Sequence, residues 1–289
     1  MNKSGLVYQN GAFISPQEAK VSIFDRGFLY GDSIYEVTLT YKGKPFLVEE
    51  HLDRLWHSAD GIGLSIQMKR EELTRIIHEG ARKLGLERQY IRIIITRGIG
   101  DLGLDPALGE EQTTLILFKE LPALDTALYE KGVTLFTSEV LRNPKKSMDP
   151  SVKSGNYLNN VLAIKQAREA GAYDAVMLNA KGYVTESTSA NIWMVLGESI
   201  ITPPLEAGLL GGITRQKVME LGKAQGFDIK EQNFTVDTLK SANEVFITSS
   251  TREVLPVTQV DNQVIGLGVP GPKTKELHKH YKTFILNLN

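Results

Sequence analysis

Lys153 and Glu186 have the residue types and spacing that most directly suggest chemistry in this 289-residue chain. Lys153 stands in the run Val152-Lys153-Ser154-Gly155-Asn156-Tyr157-Leu158-Asn159-Asn160, at the mouth of a helical pattern. Glu186 lies further on, in Gly182-Tyr183-Val184-Thr185-Glu186-Ser187-Thr188, on a segment that reads as a strand. A primary amine there can form an imine with an aldehyde, and a lone carboxylate can hold the nitrogen of a heterocycle. Together they are what pyridoxal 5'-phosphate needs. Taken singly, most lysines are surface residues, so the argument rests on the conjunction.

Other segments could serve a phosphate or a carboxylate. Gly208-Leu209-Leu210-Gly211-Gly212-Ile213-Thr214-Arg215 leads two glycines into a helix with a threonine in its first turn. Free amides at the positive end of a helix dipole bind phosphate, although the same pattern suits an ordinary threonine N-cap after a glycine turn. Ser249-Ser250-Thr251 follows the apolar strand Val245-Phe246-Ile247-Thr248 and offers three hydroxyls, or simply a solvated turn. Arg54 sits on a helix opposite part of the apolar stripe Leu52, Leu55, Trp56 and Ala59. Arg92 interrupts Tyr90-Ile91-Arg92-Ile93-Ile94-Ile95, and a charge in such a strand lines a polar cavity or pairs with an acid.

Gly98-Ile99-Gly100-Asp101-Leu102-Gly103 matches the spacing of a dinucleotide fingerprint, but that fingerprint must open a helix. Leu104-Asp105-Pro106 follows instead, so a surface loop is expected. The five histidines, at 51, 57, 78, 278 and 280, match no zinc-protease pattern and read as scattered surface residues without a metal.

Composition excludes several classes. Lys+Arg 33 against Asp+Glu 34 gives a net charge of −1 with no basic concentration, which argues against nucleic acid. With no cysteine there is neither a disulfide framework nor a thiolate nucleophile, and a reducing cytoplasm is compatible. Met1 to Phe13 lacks the pattern of a secretory signal, and no apolar run approaches the roughly 18 residues of a membrane span. The expectation is a cytoplasmic protein that does not engage membranes.

These groups need elements to position them. Leu6 to Tyr8 with Gly11 to Ile14, and Glu36 to Tyr41 with Pro45 to Val48, read as hairpins. Helices are expected from about Glu49, over Glu71 to Leu84, Asn156 to Ala170 and Thr214 to Ala224, and at the C-terminus. Strands are expected at Ile91–Thr96, Thr113–Phe118, Val133–Ser138, Ala175–Leu178, Tyr183–Thr185, Asn191–Leu196 and Val245–Thr248. Periodicity weakens around Leu121-Pro122-Ala123. The expected division is therefore an α+β domain over 1–120, a linker over 121–131, and an α/β domain over 132–289.

In combination the motifs resemble the class IV pyridoxal-phosphate aminotransferases, which include branched-chain and D-amino-acid aminotransferases and aminodeoxychorismate lyases. The resemblance runs nearly the full length. It includes Phe24-Asp25-Arg26-Gly27-Phe28-Leu29-Tyr30-Gly31-Asp32, Glu50-His51-Leu52-Asp53-Arg54-Leu55, Lys153 to Leu158, Glu186, Gly212-Ile213-Thr214-Arg215 and Phe246-Ile247-Thr248-Ser249-Ser250. It implies the two-domain, D-amino-acid aminotransferase-like fold, pyridoxal 5'-phosphate, amino acid and 2-oxo acid substrates, and a homodimer or higher homo-oligomer. By position, Lys153 would carry the cofactor and act as catalyst, Glu186 would pair with the pyridine nitrogen, and Tyr157 would donate to the ring oxygen. Arg54, Ile213, Thr214 and Ser250 would hold the phosphate. Tyr30, Tyr35, Leu39, Arg92, Leu102, Leu104, Ser250 and Thr251 would meet the substrate.

The branched-chain group is the nearest likeness, through Tyr90-Ile91-Arg92 and Gly100-Asp101-Leu102-Gly103-Leu104-Asp105-Pro106. The Arg-x-His carboxylate trap of D-amino-acid enzymes is replaced by Leu102-Gly103-Leu104, an apolar wall for an aliphatic side chain. One departure lies in Tyr35-Glu36-Val37-Thr38-Leu39, where branched-chain enzymes commonly read glycine at Val37 and arginine at Leu39. That arginine helps accept a second carboxylate. The expected activity is transamination of aliphatic, L-branched-chain amino acids. A D-amino acid or (R)-amine transaminase, and then the lyase, are the alternatives, and a dinucleotide-binding regulatory module built on Gly98 to Gly103 is the reading from another class.

Overall fold

Alternating and helical hydrophobic patterns build two large sheets, each with its own core. The computed structural model describes residues 5–288, so the first residues of the Met1 to Phe13 stretch lie outside it. The chain divides into two compact units: the N-terminal residues through Ala123 with Val152–Asn156, and Leu124–Ser151 with Tyr157–Leu288. Val152–Asn156 thus clusters with the first unit, whereas the sequence places it in the C-terminal domain.

The first unit runs β1 (Gly5–Gln9), β2 (Ala12–Ile14), α1 (Arg26–Tyr30), β3 (Ser33–Tyr41), β4 (Lys44–Pro45), α2 (Val48–Gly61) and α3 (Arg70–Leu84). It continues with β5 (Gln89–Thr96), β6 (Ile99–Gly100), β7 (Gly109–Glu111) and β8 (Thr114–Glu120). Its main sheet is antiparallel, in the order β2-β1-β8-β5-β3-β4. Strand alternation sorts β5 cleanly. Ile91, Ile93 and Ile95 are fully buried in one core with Leu52, Leu55 and Ala59 of α2 and Leu73, Ile76, Ile77 and Ala81 of α3. Tyr90, Arg92 and Ile94 therefore face the other side, where the register sets them opposite Leu39, Val37 and Tyr35.

Val152–Asn156 lies antiparallel along the free edge of β3. Tyr35 N donates to Lys153 O at 2.9 Å, Gly155 N donates to Ser33 O at 2.8 Å, and Ile34 bridges Ser154. Ser58 of α2 accepts from Lys153 N at 3.0 Å, and Asn156 Nδ2 donates to Gly31 O at 2.9 Å. Edge pairing of a short irregular segment has no periodic signature, which is why the sequence boundary misses it.

The second unit runs α4 (Thr126–Lys131), β9 (Val133–Thr137), α5 (Leu158–Glu169), β10 (Asp174–Leu178), β11 (Val184–Ser187), β12 (Asn191–Leu196) and β13 (Ser199–Thr202). There follow α6 (Ile213–Ala224), β14 (Asp228–Glu231), α7 (Val236–Lys240), β15 (Glu244–Ser249), β16 (Glu253–Val260), β17 (Gln263–Val264) and α8 (Pro272–Asn287). The sheet order is β11-β10-β9-β16-β15-β12-β13-β14, with β17 on β16. Val176, Ile192, Met194, Val245, Ile247, Leu255 and Val257 share its core. Trp193 stacks on Phe246 with ring centroids 5.5 Å apart. No helix among the described residues is long and apolar enough to cross a membrane.

A polar cluster is buried on the helix-facing side of β3. Glu36 accepts from Arg54 Nε at 2.6 Å and Nη2 at 2.8 Å, and lies 2.7 Å from His51 Nδ1. His51, expected at the surface, is buried because it precedes Leu55 by one helical turn. Burial alone would raise the Glu36 carboxyl, but the charge and hydrogen bonds of Arg54, with those of His51, bring it well below its ordinary 4.5. Burial lowers the His51 imidazole below its ordinary 6.5, with Arg54 and Lys153 acting in the same direction and Glu36 opposing.

Both depressed groups bind protons less readily in the folded chain than in the unfolded one. Their stabilisation is complete above the unfolded values and is lost as pH falls, from 6.5 for His51 and from 4.5 for Glu36. His51→Gln should therefore flatten the loss of stability below pH 6.5, by up to about 1.4 kcal/mol per pH unit. Denaturant midpoints measured across the acidic range check this, and an unchanged slope would contradict it.

Candidate active site

In the first unit the register does the positioning. Ser154 lies opposite Ile34, so Lys153 lies opposite Tyr35 and on the same face of the sheet. Lys153 Nζ donates to Tyr35 Oη at 3.1 Å and lies 4.2 Å from the ring centroid. The Arg92 guanidinium is 3.9 Å from the same ring centroid, and its Nη1 donates to Tyr90 Oη at 3.4 Å. Among the described residues Arg92 forms no ion pair with a carboxylate. An amine, a phenol and a guanidinium thus share one face with Val37 and the buried Leu39.

Arg54 reaches Glu36 from α2. Its partner is the glutamate of the Tyr35-Glu36-Val37 run, a pairing that the sequence does not specify.

Tyr30, Leu102 and Leu104 come together around a pinned loop. Buried Arg26 donates from Nη1 to Gly103 O at 2.9 Å and from Nη2 to Leu104 O at 3.4 Å, and Gly103 N donates to Tyr30 Oη at 3.1 Å. Asp32 accepts from Arg26 Nε at 3.4 Å and from Arg97 Nε at 2.7 Å. The main chain is held while the side chains of Leu102 and Leu104 remain 68% and 82% exposed. No α-helix opens at Gly103, only a short 3-10 helix at Pro106–Leu108, and Ile99–Gly100 pairs with Gly109–Glu111 as a short ribbon. The dinucleotide geometry is therefore not formed, and the segment is tied down rather than being a plain surface loop.

In the second unit Glu186 is buried on β11 and enclosed by polar groups. It accepts from Arg142 Nε at 2.8 Å, from Leu210 N at 3.1 Å and from Asn191 Nδ2 at 3.5 Å. A guanidinium and an amide N–H are partners of the ionised acid, the form that a pyridinium N–H requires. Asn191 also donates to Leu210 O at 2.8 Å, tying this acid to the loop that opens α6. Gly212 must stay small, because a Cβ there would overlap the Asn191 amide oxygen.

Gly212 is the N-cap of α6 and no side chain caps this end, so Thr214 lies inside the helix rather than capping it. The first amides, at Ile213 and Thr214, have no acceptor within the helix and suit a phosphate. A hydrogen bond links Thr214 to Tyr281, whose phenol burial pushes well above its ordinary 10.0. Ser250 and Thr251 form the turn between β15 and β16, with Ser249 Oγ 3.5 Å from Thr251 Oγ1. Tyr157 is the N-cap residue of α5.

Arg142 and Asn191, which hold Glu186, are partners that sequence reasoning missed. Arg142 lies in non-periodic chain before Pro144, and Asn191 reads as the first residue of an ordinary strand. Within the second unit, a buried acid linked to a phosphate-ready helix end, with hydroxyls at a strand turn, fits pyridoxal 5'-phosphate, and the first unit by itself presents an amine.

Comparison with known proteins agrees with this chemistry. The family model for amino-transferase class IV matches residues 33–260. A Methanocaldococcus jannaschii protein, provisionally named a branched-chain-amino-acid aminotransferase, is 40% identical over 276 residues, covering 96% of this chain and 95% of that one. The D-alanine aminotransferase of Bacillus licheniformis is 36% identical over 285 residues, covering 96% of each chain. A T.th. branched-chain amino acid aminotransferase, solved with pyridoxamine 5'-phosphate, is 33% identical with a TM-score of 0.95, covering 99% of this chain and 96% of that one. It has also been solved with N-(5'-phosphopyridoxyl)-L-glutamate and with 4-methylvaleric acid. With the family model spanning most of its length, the chain belongs to the class IV aminotransferases, which use pyridoxal 5'-phosphate.

Proposed function

We propose that this aminotransferase moves amino groups between L-branched-chain amino acids and 2-oxo acids. The observation that carries the reading is the face shared by Lys153, Tyr35 and Arg92 with the apolar side chains Val37 and Leu39. Apolar positions suit an aliphatic side chain. Arg92, opposite Val37 in the register, supplies the guanidinium that Leu39 does not, and so takes the second carboxylate of glutamate or 2-oxoglutarate. The T.th. relative has been solved with both a glutamate adduct and a branched aliphatic acid, which supports the same pair of substrates. The likeness to D-alanine aminotransferases favours a D-amino acid as the second reading. Leu102-Gly103-Leu104, where an Arg-x-His trap would be needed, weighs against it.

In this reading Lys153 would carry the cofactor and Glu186 would pair with its ring nitrogen. Tyr157 would donate to the ring oxygen, while Ile213, Thr214, Ser250 and Arg54 would hold the phosphate. When bound, pyridoxal 5'-phosphate supplies an aldehyde for the amino group and a protonated ring that takes up the electron pair left at Cα. Lys153 Nζ, released as an amine when the substrate amino group takes its place, would remove the proton from the substrate Cα, and Tyr35 Oη, its 3.1 Å partner, would orient the amine. Glu186, held by Arg142 at 2.8 Å, would accept the proton-bearing ring nitrogen's hydrogen bond. Ser250 and Thr251 amides bind the α-carboxylate. Exposed Phe24, Phe28, Leu102 and Leu104 support a homodimer, and the lack of cysteine accords with the cytoplasm.

L-Leucine should convert the bound cofactor to its pyridoxamine form, followed by absorbance, at least about tenfold faster than D-alanine does. Full conversion by D-alanine with none by L-leucine would reject this substrate assignment. Arg92→Met should raise KM for 2-oxoglutarate by about 10- to 100-fold, the range of a lost charge-assisted hydrogen bond, and leave KM for 4-methyl-2-oxopentanoate nearly unchanged. Equal effects on both acids would remove Arg92 from the second-carboxylate role.

A further inference from the structure

We propose that Asp174 and Arg252 are positioning residues for the reaction, tying the Ser250–Thr251 turn to the strand that carries Glu186. The inference rests on the reading above, in which these two segments hold the cofactor and the substrate carboxylate. Neither residue is placed in contact with the reacting atoms, and their effect is through the segments they join.

Asp174 is fully buried at the start of β10. Its Oδ1 accepts from Ala175 N at 2.8 Å, Thr188 N at 3.2 Å and Thr188 Oγ1 at 2.5 Å. Its Oδ2 accepts from Arg252 Nη1 at 3.0 Å and Ser187 Oγ at 3.4 Å. Ser187 and Thr188 directly follow Glu186, and Arg252 directly follows Thr251. One carboxylate therefore joins two segments that are far apart in the sequence.

The turn is fixed from its other side as well. Arg252 Nη1 also donates to Ser189 Oγ at 3.0 Å, Nε donates to Tyr173 Oη at 3.1 Å, and Tyr129 Oη donates to Arg252 O at 2.7 Å. The next residue, Glu253, is buried with φ of 55°, a left-handed conformation that usually belongs to glycine. Its carboxylate lies 3.0 Å from His278 Nε2 of α8, and Ser249 pairs with Glu253 across the three-residue turn. A backbone of this kind persists only where its surroundings over-determine it.

Stability alone gives little reason to bury this carboxylate, since apolar residues of similar volume serve at least as well. What the charged cluster adds is a fixed spacing between donors on two strands, and small misplacements of such donors cost rate and affinity steeply.

The test compares Arg252→Met, Arg252→Lys and Asp174→Asn holoenzymes with wild type. It reads the dissociation constant of pyridoxal 5'-phosphate, KM and kcat for L-leucine and 2-oxoglutarate, and the melting temperature. Arg252→Met should weaken cofactor binding and raise KM for both substrates by about tenfold, with kcat changed less than about threefold. Arg252→Lys, which keeps the charge, should recover part of the loss, and Asp174→Asn should shift the same quantities in the same direction. A lower melting temperature with normal KM and cofactor affinity in Arg252→Met would show a merely structural pair and overturn the proposal. If Asp174→Asn does not fold, the two Arg252 variants decide alone. A wild type that transaminates normally beside an indistinguishable Arg252→Met rejects only this inference. A wild type whose L-leucine and 2-oxoglutarate turnover fails despite bound cofactor rejects the functional reading beneath it.

Discussion

Two main-chain hydrogen bonds, from Tyr35 N to Lys153 O and from Gly155 N to Ser33 O, set where the Lys153 amine sits. They make a short, irregular stretch into an edge strand of β3, so the lysine inherits the alternation of that sheet. Because alternation has a period of two, a slip by one residue would send Lys153 to the helix-facing side, among the apolar residues of α2 and α3. In the observed register it meets Tyr35 on the polar face. Gly31, with φ of 68°, lies so close to the Asn156 side chain that a Cβ would collide with it, which helps hold the far end of this segment.

Around that frame, three of the six buried carboxylates among the described residues each have an arginine: Glu36 with Arg54, Glu186 with Arg142, and Asp174 with Arg252. Such pairs are poor sources of net stability, because desolvation consumes most of the attraction. They are good sources of geometry, since each acceptor has several fixed donors. Their placement agrees with that distinction. Glu36 orients an arginine on α2, Glu186 ties a strand to the loop before α6, and Asp174 ties the same strand to the turn after β15.

Much of the fold can be read from residue patterns, and the failures have physical causes. The Leu52, Leu55 and Ala59 stripe and the β-branched run of β5 mark their elements because one face of each is buried. Strand β16 escapes because Pro256 interrupts it; that residue sits just before the pairing with β9 begins at Val257. Strands β13 and β14 are four residues each, too short for periodicity to register. Helix α1 shows only its Asp25 cap, whose Oδ1 accepts from Gly27 N. At the candidate site the lysine, the acid and the glycine-led helix were conspicuous by type and spacing. Arg142, Asn191 and Asp174 were not, because a residue that acts by joining distant segments leaves no local pattern. His51 had a usable signal, its place one turn before Leu55 on the buried side of α2.

In the proposed function one amine, at Lys153, bonds covalently to the cofactor. Borohydride reduction of the purified protein, followed by proteolysis and mass spectrometry, reads that bond. A single phosphopyridoxyl-labelled peptide is expected, with the label on Lys153. A label on another lysine, or none on a protein that retains its cofactor, would contradict it.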